Sequence, residues 1–371
     1  MKLTMQTKLL PTPAQSAALL ATMERFNAAC DALAKVAFDH QCASKFELQK
    51  IAYHGIRKDF GLSAQMTVRA ISKVVEVYKR DKAIQPTFNP HGAIVYDERI
   101  LSWKGSDRVS IWTLAGREIM PWIVGAYQHA RLDRVRGQAD LIYRDGMFFL
   151  NVTVDIGDVP PGDPDDYLGV DLGHKNIAAD SDGDTFSGAH NANLRNRHAR
   201  LRRNLQRKGT KSAKRLLHKR RMKETRFAKD LNHRISKAIV RKAKDTNRGI
   251  AVEDLTGIRD RITVRRSQRR AHHSWAFAQL RSFIKYKAEI VGVPVIAVNP
   301  RNTSRTCPCC GLVDKRNRPT RDEFRCLQCG HAGPSDTTAA VNISRLGSCQ
   351  AAKRRDHASV LTSSCPSGPS T

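Results

Sequence analysis

Residues 306–343 read TCPCCGLVDKRNRPTRDEFRCLQCGHAGPSDTTAAVNI. Cys307 and Cys310 form one CxxC pair and Cys326 and Cys329 a second, with fifteen residues between the pairs. A structural zinc takes four soft ligands in a tetrahedron, and two tight knuckles supply two thiolates each. Gly311 and Gly330 follow the pairs, where a knuckle turn needs backbone free of Cβ strain. Cys309 competes within CPCC. Cys307 and Cys310 are preferred because two intervening residues let both sulfurs face one metal. Disulfides are the competing reading, disfavoured because nothing else in the chain points to an oxidising compartment. Cys30, Cys42, Cys349 and Cys365 are scattered and read as ordinary buried or tail thiols. Directly behind the clip, Asp336 opens a run that reads as a helix.

Two further carboxylates stand in apolar strand-like runs upstream. Asp171 lies in YLGVDLG (167–173) and Glu253 in GIAVEDL (249–255). A strand buried on both faces does not accept a carboxylate without compensation, and a divalent cation is a suitable one. Converging oxygen ligands suit Mg²⁺ or Mn²⁺, and two such ions can drive phosphodiester hydrolysis. Each acid has a plainer alternative. Asp171 could end a strand, Glu253 or Asp254 could lie on the surface, and Asp336 could be a helix N-cap. Alternation puts Glu253 and Asp254 on opposite faces, so only one can join Asp171. The order strand, hairpin, long helix, strand, helix, strand, insertion, helix with acid is that of an RNase H-like α/β nuclease fold.

Earlier segments differ in character. MKLTMQTKLL (1–10) alternates and suits an edge strand, ended by Pro11 and Pro13. Residues 11–83 carry helical periodicity. Residues 84–158 hold short β-type runs, with Arg144-Asp145-Gly146 turning a hairpin. VPPGDPDD (159–166) reads as a domain linker. Residues 191–246 read as two basic helices divided at Gly209. Their second carries Phe227, Leu231, Ile235 and Ile239 on one stripe. Between Arg195 and Arg226 there are fifteen Lys or Arg against one acid, Glu224. The tail 347–371 is rich in Ser, Pro, Lys and Arg and reads as disordered.

The whole chain has 371 residues and a net charge of +29. That surplus is self-repulsive unless a polyanion offsets it, so nucleic acid is the expected partner. No long apolar segment or signal-peptide core is present, which leads to the expectation of a soluble cytoplasmic protein without a membrane partner. P-loop, GxSxG and HExxH patterns are absent. Aromatic residues are few, which disfavours a stacking-based single-strand binder. Arg195, Arg202, Arg203, Lys208, Lys211, Lys214, Arg215, Lys219 and Arg220 are candidate nucleic-acid contacts. So are Arg265, Arg266, Arg269 and Arg270 in the basic loop 259–270.

GVDLGHKNIAADSDGDTFSG, GIAVEDLTGIR, SWAFAQLRSFIKYKA, NTSRTCPCCG and FRCLQCGHAGPSDTTAAVNI together resemble TnpB, the accessory protein of bacterial insertion sequences and relative of type V CRISPR effectors. The likeness covers most of residues 1–345. It implies a RuvC-type nuclease domain (167–300 and 334–346) with Asp171, Glu253 and Asp336 as catalytic, magnesium-binding acids. It implies an inserted zinc ribbon (301–333) with Cys307, Cys310, Cys326 and Cys329 on a structural zinc. It further implies a β-barrel wedge domain (1–10 and 84–158) carrying a helical recognition insertion (11–83). The activity implied is RNA-guided DNA cleavage, with a guide RNA from the transposon end and a complementary target DNA as partners. A non-cleaving RNA-guided binder and a small CRISPR effector are the alternatives. One departure stands out: the family's Asp-x-Asn-Ala-Ala run is Asp336-Thr337-Thr338-Ala339-Ala340 here.

Overall fold

The computed structural model describes residues 1–173, 175–254 and 277–363, in two units, Met1–Asp158 and Val159–Thr371. The loop 259–270 with Arg265, Arg266, Arg269 and Arg270 lies outside the described residues, as do His174 and Cys365.

The first unit is a seven-stranded antiparallel sheet with a helical insertion. Its strands are β1 (Lys2–Leu9), β2 (Ile94–Tyr96), β3 (Leu101–Lys104), β4 (Arg108–Thr113), β5 (Gly116–Ile123), β6 (Val135–Arg144) and β7 (Met147–Asp155). They run in the order β2-β6-β7-β1-β5-β4-β3. Strand β1 is not at the edge as its sequence led us to expect. It pairs with β7 along Lys2–Lys8 and with β5 through Lys8 and Leu9. The alternation that marked it as a strand reports a buried face (Met5, Thr7, Leu9) and carries no information about its edges. The Tyr96 hydroxyl on β2 donates to the Trp112 carbonyl on β4, so the two ends of the sheet curl toward each other. Asp145 and Gly146 both take positive φ in the two-residue β6–β7 turn, which matches the right-handed strand twist.

Between β1 and β2 lie α1 (Pro13–Asp39), α2 (Lys45–Phe60) and α3 (Ala64–Tyr78). Thr12 starts α1 with a capping box. Its side chain accepts from Gln15 N–H, and the Gln15 side chain accepts from Thr12 N–H, with Pro13 in the first turn. Leu19, Met23, Phe26, Leu33, Ile71 and Val74 share one core with Val109, Ile111 and Leu150 of the sheet. A short helix, α4 (Ala126–His129), precedes β6.

The second unit is built on five strands in the order β10-β9-β8-β11-β12: β8 (Tyr167–Asp171), β9 (Asn176–Asp180), β10 (Thr185–Ser187), β11 (Gly249–Glu253) and β12 (Val295–Val298). Strands β8, β11 and β12 are parallel, while β9 and β10 are antiparallel. The helices are α5 (Ala189–Lys208), α6 (Lys211–Arg220), α7 (Lys223–Asp245), α8 (Phe277–Ile290) and α9 (Ser335–Ser363). Strand periodicity divides the sheet's two faces. Leu168, Val170, Ile250 and Val252 pack with Ile235 and Ile239 of α7 and Leu280 and Ile284 of α8. Tyr167 and Ala251 pack with Ile343 and Ala351 of α9 on the other face.

Gly209 caps α5 in the left-handed conformation, and Thr210 caps α6. A second break, at Met222 with φ 71°, makes three helices where two were expected. A bulky residue at positive φ is unfavourable, so no sequence signal marks this break. The expected linker 159–166 is tied to the second unit. Gly162 N–H donates to the Gly292 carbonyl, and Arg355 bonds Asp163 and Asp165. The expected disorder of the tail is corrected over residues 347–363, since α9 continues to Ser363, and the remainder of that tail, 364–371, lies outside the described residues. Gly347 is not a helix stop. A Cβ there would lie 2.5 Å from the Ala251 Cβ, so its bareness lets the helix pack directly on the sheet.

Candidate active site

Asp171 and Glu253 end neighbouring strands. The parallel register pairs Ala251 with Gly169 and Val252 with Val170, which sets Glu253 beside Asp171 on the same face. That face is covered by α9. At Gly169 a Cβ would stand 2.0 Å from the Ala340 carbonyl oxygen, so helix backbone rests on strand backbone there. Asp171 is two residues further along β8, and Asp336 is one helical turn before Ala340. Both steps are about 6–7 Å toward the same end, which brings Asp336 to Asp171. Asp336 lies inside the first turn of α9, not at its cap. The helix N-terminus favours its negative charge.

The electrostatics follow from this grouping. Burial, then the Glu253 and Asp336 carboxylates, push the Asp171 carboxyl up to about 7, with Arg318 opposing. Burial also raises Glu253, against a hydrogen bond from Thr303. Asp171 and Glu253 thus resist ionising, and with Asp336 they offer carboxylate oxygens of the hard kind that a divalent cation such as Mg²⁺ takes. Asp254 faces away and pairs with Arg281 at 2.7 Å, so alternation resolves the choice in favour of Glu253.

Four further side chains hold this group, none singled out from the sequence. Asn176 Nδ2 donates to Asp336 Oδ2 at 2.9 Å. Arg318 Nη2 lies 3.7 Å from Asp336 Oδ1, steadied by donating to the Arg321 carbonyl. Buried Thr303 donates to Glu253 Oε1. Asn342 donates to the carbonyls of Thr303 and Thr306, each at 2.8 Å. Their only sequence signal is proximity to the motifs, since each acts across a long stretch of chain, up to 160 residues for Asn176. Thr338, where the family pattern has Asn, is buried and donates to the Pro334 carbonyl at 2.9 Å, closing the first turn of α9.

The segment between β12 and α9 carries the cysteines and two short paired strands, β13 (Glu323–Arg325) and β14 (Ala332–Pro334). The Cys307, Cys310, Cys326 and Cys329 sulfurs all lie within 4.8 Å of one another. Among the described residues this is the one His/Cys/Asp/Glu group gathered so tightly. Zn–S bonds of about 2.3 Å in a tetrahedron require sulfur separations near 3.8 Å, so the set fits zinc. The two knuckles are alike: Cys307 N–H donates to the Leu312 carbonyl and Cys326 N–H to that of His331. Gly311 and Gly330 both take positive φ. Fully buried Asn317 joins the knuckles, donating to the Arg305 and Leu312 carbonyls and accepting from Leu327 N–H. Cys309 is exposed and outside the cluster. Since β14 runs straight into α9, the clip orients the helix that carries Asp336.

Of the basic candidates, Arg202, Arg203, Lys208, Lys211, Lys214, Arg215 and Lys219 are exposed on α5 and α6, while Arg195 and Arg220 are half-buried. A cavity of about 370 Å³ between α5, α6 and the start of α7 is lined by Leu201, Leu205, Leu217, Arg202 and Arg220 among others. No helix among the described residues is long and apolar enough to cross a membrane.

Two family models match the chain. One described as "Probable transposase" covers residues 151–258, and one described as "Cas12f1-like, TNB domain" covers residues 277–343. The chain is 39% identical over 94 residues to the CRISPR-associated endodeoxyribonuclease Cas12f1 of Sulfoacidibacillus thermotolerans, across 25% of this chain and 21% of that protein. It is 33% identical over 116 residues to a TnpB-like protein of Methanocaldococcus jannaschii, across 31% of this chain and 41% of that one. A second Methanocaldococcus jannaschii protein, carrying a transposase name, is 34% identical over 79 residues, 19% of this chain and 72% of its own length. The first two matches thus span less than half of each relative. The solved Cas12f1–sgRNA–target DNA complex contains a chain superposing with TM-score 0.61 at 16% identity, covering 88% of this chain and 82% of that one, which is a likeness of fold. Fold and comparisons define a class of mixed α/β proteins shared between transposons and CRISPR systems. Within it, the chain belongs to the TnpB family.

Proposed function

We propose that this protein is an RNA-guided DNA endonuclease of an insertion sequence, cutting by metal-dependent phosphodiester hydrolysis. The observation that carries this reading is the register that puts Asp171 beside Glu253, with Asp336 delivered to the same edge by α9. In this reading the second unit is an RNase H-like RuvC nuclease domain with an inserted zinc ribbon. The curled sheet of the first unit is the wedge, and α1–α3 are its recognition insertion.

Asp171, Glu253 and Asp336 would hold magnesium, or manganese, through carboxylate oxygens. The bound ions supply the charge that makes water nucleophilic at neutral pH and stabilises the leaving oxygen. The chain's own residues do the rest. Asn176 and Thr303 orient two of the three carboxylates. Arg318 is placed to offset the charge of a phosphate arriving beside Asp336. Four thiolates leave zinc no open position, so its role is structural. The cations of α5 and α6, together with Arg265, Arg266, Arg269 and Arg270, would follow the backbone of a guide–target duplex while base pairing supplies sequence.

The likeness to CRISPR-associated relatives favours a second reading of the guide's origin, namely a repeat array. Sequencing the RNA that co-purifies with the protein separates the two. A constant scaffold with a guide matching transposon-flanking DNA is the expected result. Cleavage of a DNA duplex matched to that RNA should then be abolished in Asp171→Ala and Glu253→Ala with RNA binding retained. Normal cutting by both variants would refute the assignment of the acids.

A further inference from the structure

The chain leaves β12 at Val298, which pairs with Glu253 in the parallel ladder, and reaches Cys307 nine residues later. Between them, residues 300–306 form a compact turn. Thr306 N–H and its hydroxyl both donate to the Asn302 carbonyl, at 3.0 and 2.9 Å. Two buried side chains tie this turn to its surroundings. The Thr303 hydroxyl has one proton and two acceptors within reach, Glu253 Oε1 and the Pro300 carbonyl at 3.1 Å. An ionised carboxylate is the stronger acceptor, so the bond to Glu253 is the one made when that acid is charged. Asn342, on α9, places both amide hydrogens on the carbonyls of Thr303 and Thr306.

We infer that Thr303 and Asn342 are positioning residues through which the four-cysteine centre sets the place of the Glu253 carboxylate. The turn has one rigid neighbour on each side, the first cysteine knuckle at Cys307 and the helix that bears Asp336. Asn342 fixes the turn between them, and Thr303 transfers that position to Glu253. Partners that orient metal-binding carboxylates are worth about 10–100-fold in metal affinity or activity. The inference rests on the proposed reading of Glu253 as a metal-binding acid.

The test uses the protein purified with its co-expressed RNA, a DNA duplex matched to that RNA, and Mn²⁺ as the metal probe. Thr303→Val keeps shape and removes the donor, whereas Thr303→Ser keeps the donor. T303V is expected to cut about 10–100-fold more slowly and to bind Mn²⁺ correspondingly more weakly by electron paramagnetic resonance. Duplex binding and zinc content should be unchanged, and T303S should regain both cleavage and Mn²⁺ affinity. Asn342→Ala should reproduce the Mn²⁺ defect. Wild-type cleavage and Mn²⁺ binding in T303V, alongside an inactive Glu253→Gln, would overturn the inference alone. An active Glu253→Gln would instead overturn the reading beneath it. Should T303V not fold, T303A carries the same comparison.

Discussion

Replacing Gly169 by alanine adds one methyl group at the point where α9 meets β8. The new Cβ would stand 2.0 Å from the Ala340 oxygen, 2.5 Å from the Ser344 nitrogen and 3.0 Å from the Ala340 carbonyl carbon. All three are backbone atoms, so no rotamer change relieves the clash. The nearest approach is about 1.5 Å inside the separation at which nonbonded heavy atoms attract. Strand or helix must retreat by roughly that distance. Overpacking relieved by side-chain movement costs about 1–3 kcal/mol, and displaced backbone puts this case at the upper end, near 3 kcal/mol. For a unit of this size that is a loss of roughly 6–12 °C in melting temperature. The functional loss should be comparable in free energy to the stability loss. Asp336 is one turn from the contact, and a 1 Å misplacement of catalytic groups can cost about 100-fold in rate. Calorimetry of the RNA-bound protein and single-turnover cleavage at 25 °C, where G169A stays folded, measure the two effects separately. Wild-type melting and cleavage in G169A would refute both the packing argument and the placement of Asp336.

The Asp171 carboxyl, raised to about 7 in metal-free protein, is held protonated by the folded state in a range where the unfolded chain ionises. Stability of metal-free protein should therefore fall as pH rises from about 4 through 7, by at most about 4 kcal/mol. Asp171→Asn should flatten that profile and stabilise the metal-free protein at pH 7.5 in denaturant melts, and an unchanged slope would count against the buried acid. One zinc per chain is expected by elemental analysis, with Cys326→Ser losing it and lowering the melting temperature; intact stability without zinc would remove the structural role. Changing Lys211, Lys214 and Arg215 together to Gln should weaken duplex binding at all sequences. It should also lower the slope of log affinity against log salt by about one for each phosphate left without its cation. An unaltered slope would place the nucleic acid elsewhere.

Local chemistry made parts of this protein readable without coordinates. The CxxC spacing selects four sulfurs because a knuckle's geometry is set within a few residues, and Cys309 is excluded on the same ground. Gly209 announces a helix end because its backbone freedom is an intrinsic property. Asp171 and Glu253 draw attention because a carboxylate is costly in an apolar strand wherever that strand lies. Other features exist only once distant segments meet. Whether Asp171 stands beside Glu253 depends on strand register, an interaction between segments far apart in the chain. Asn176, Thr303, Arg318 and Asn342 carry ordinary polar side chains, and their roles arise from the acceptors that folding brings to them. Gly347 reads from composition as the start of a disordered tail and proves to be a packing surface, because the sheet beneath α9 leaves no room for a Cβ. Strand β1 shows the same division. Its alternation follows from its own residues, whereas its place inside the sheet is set by the strands that fold against it.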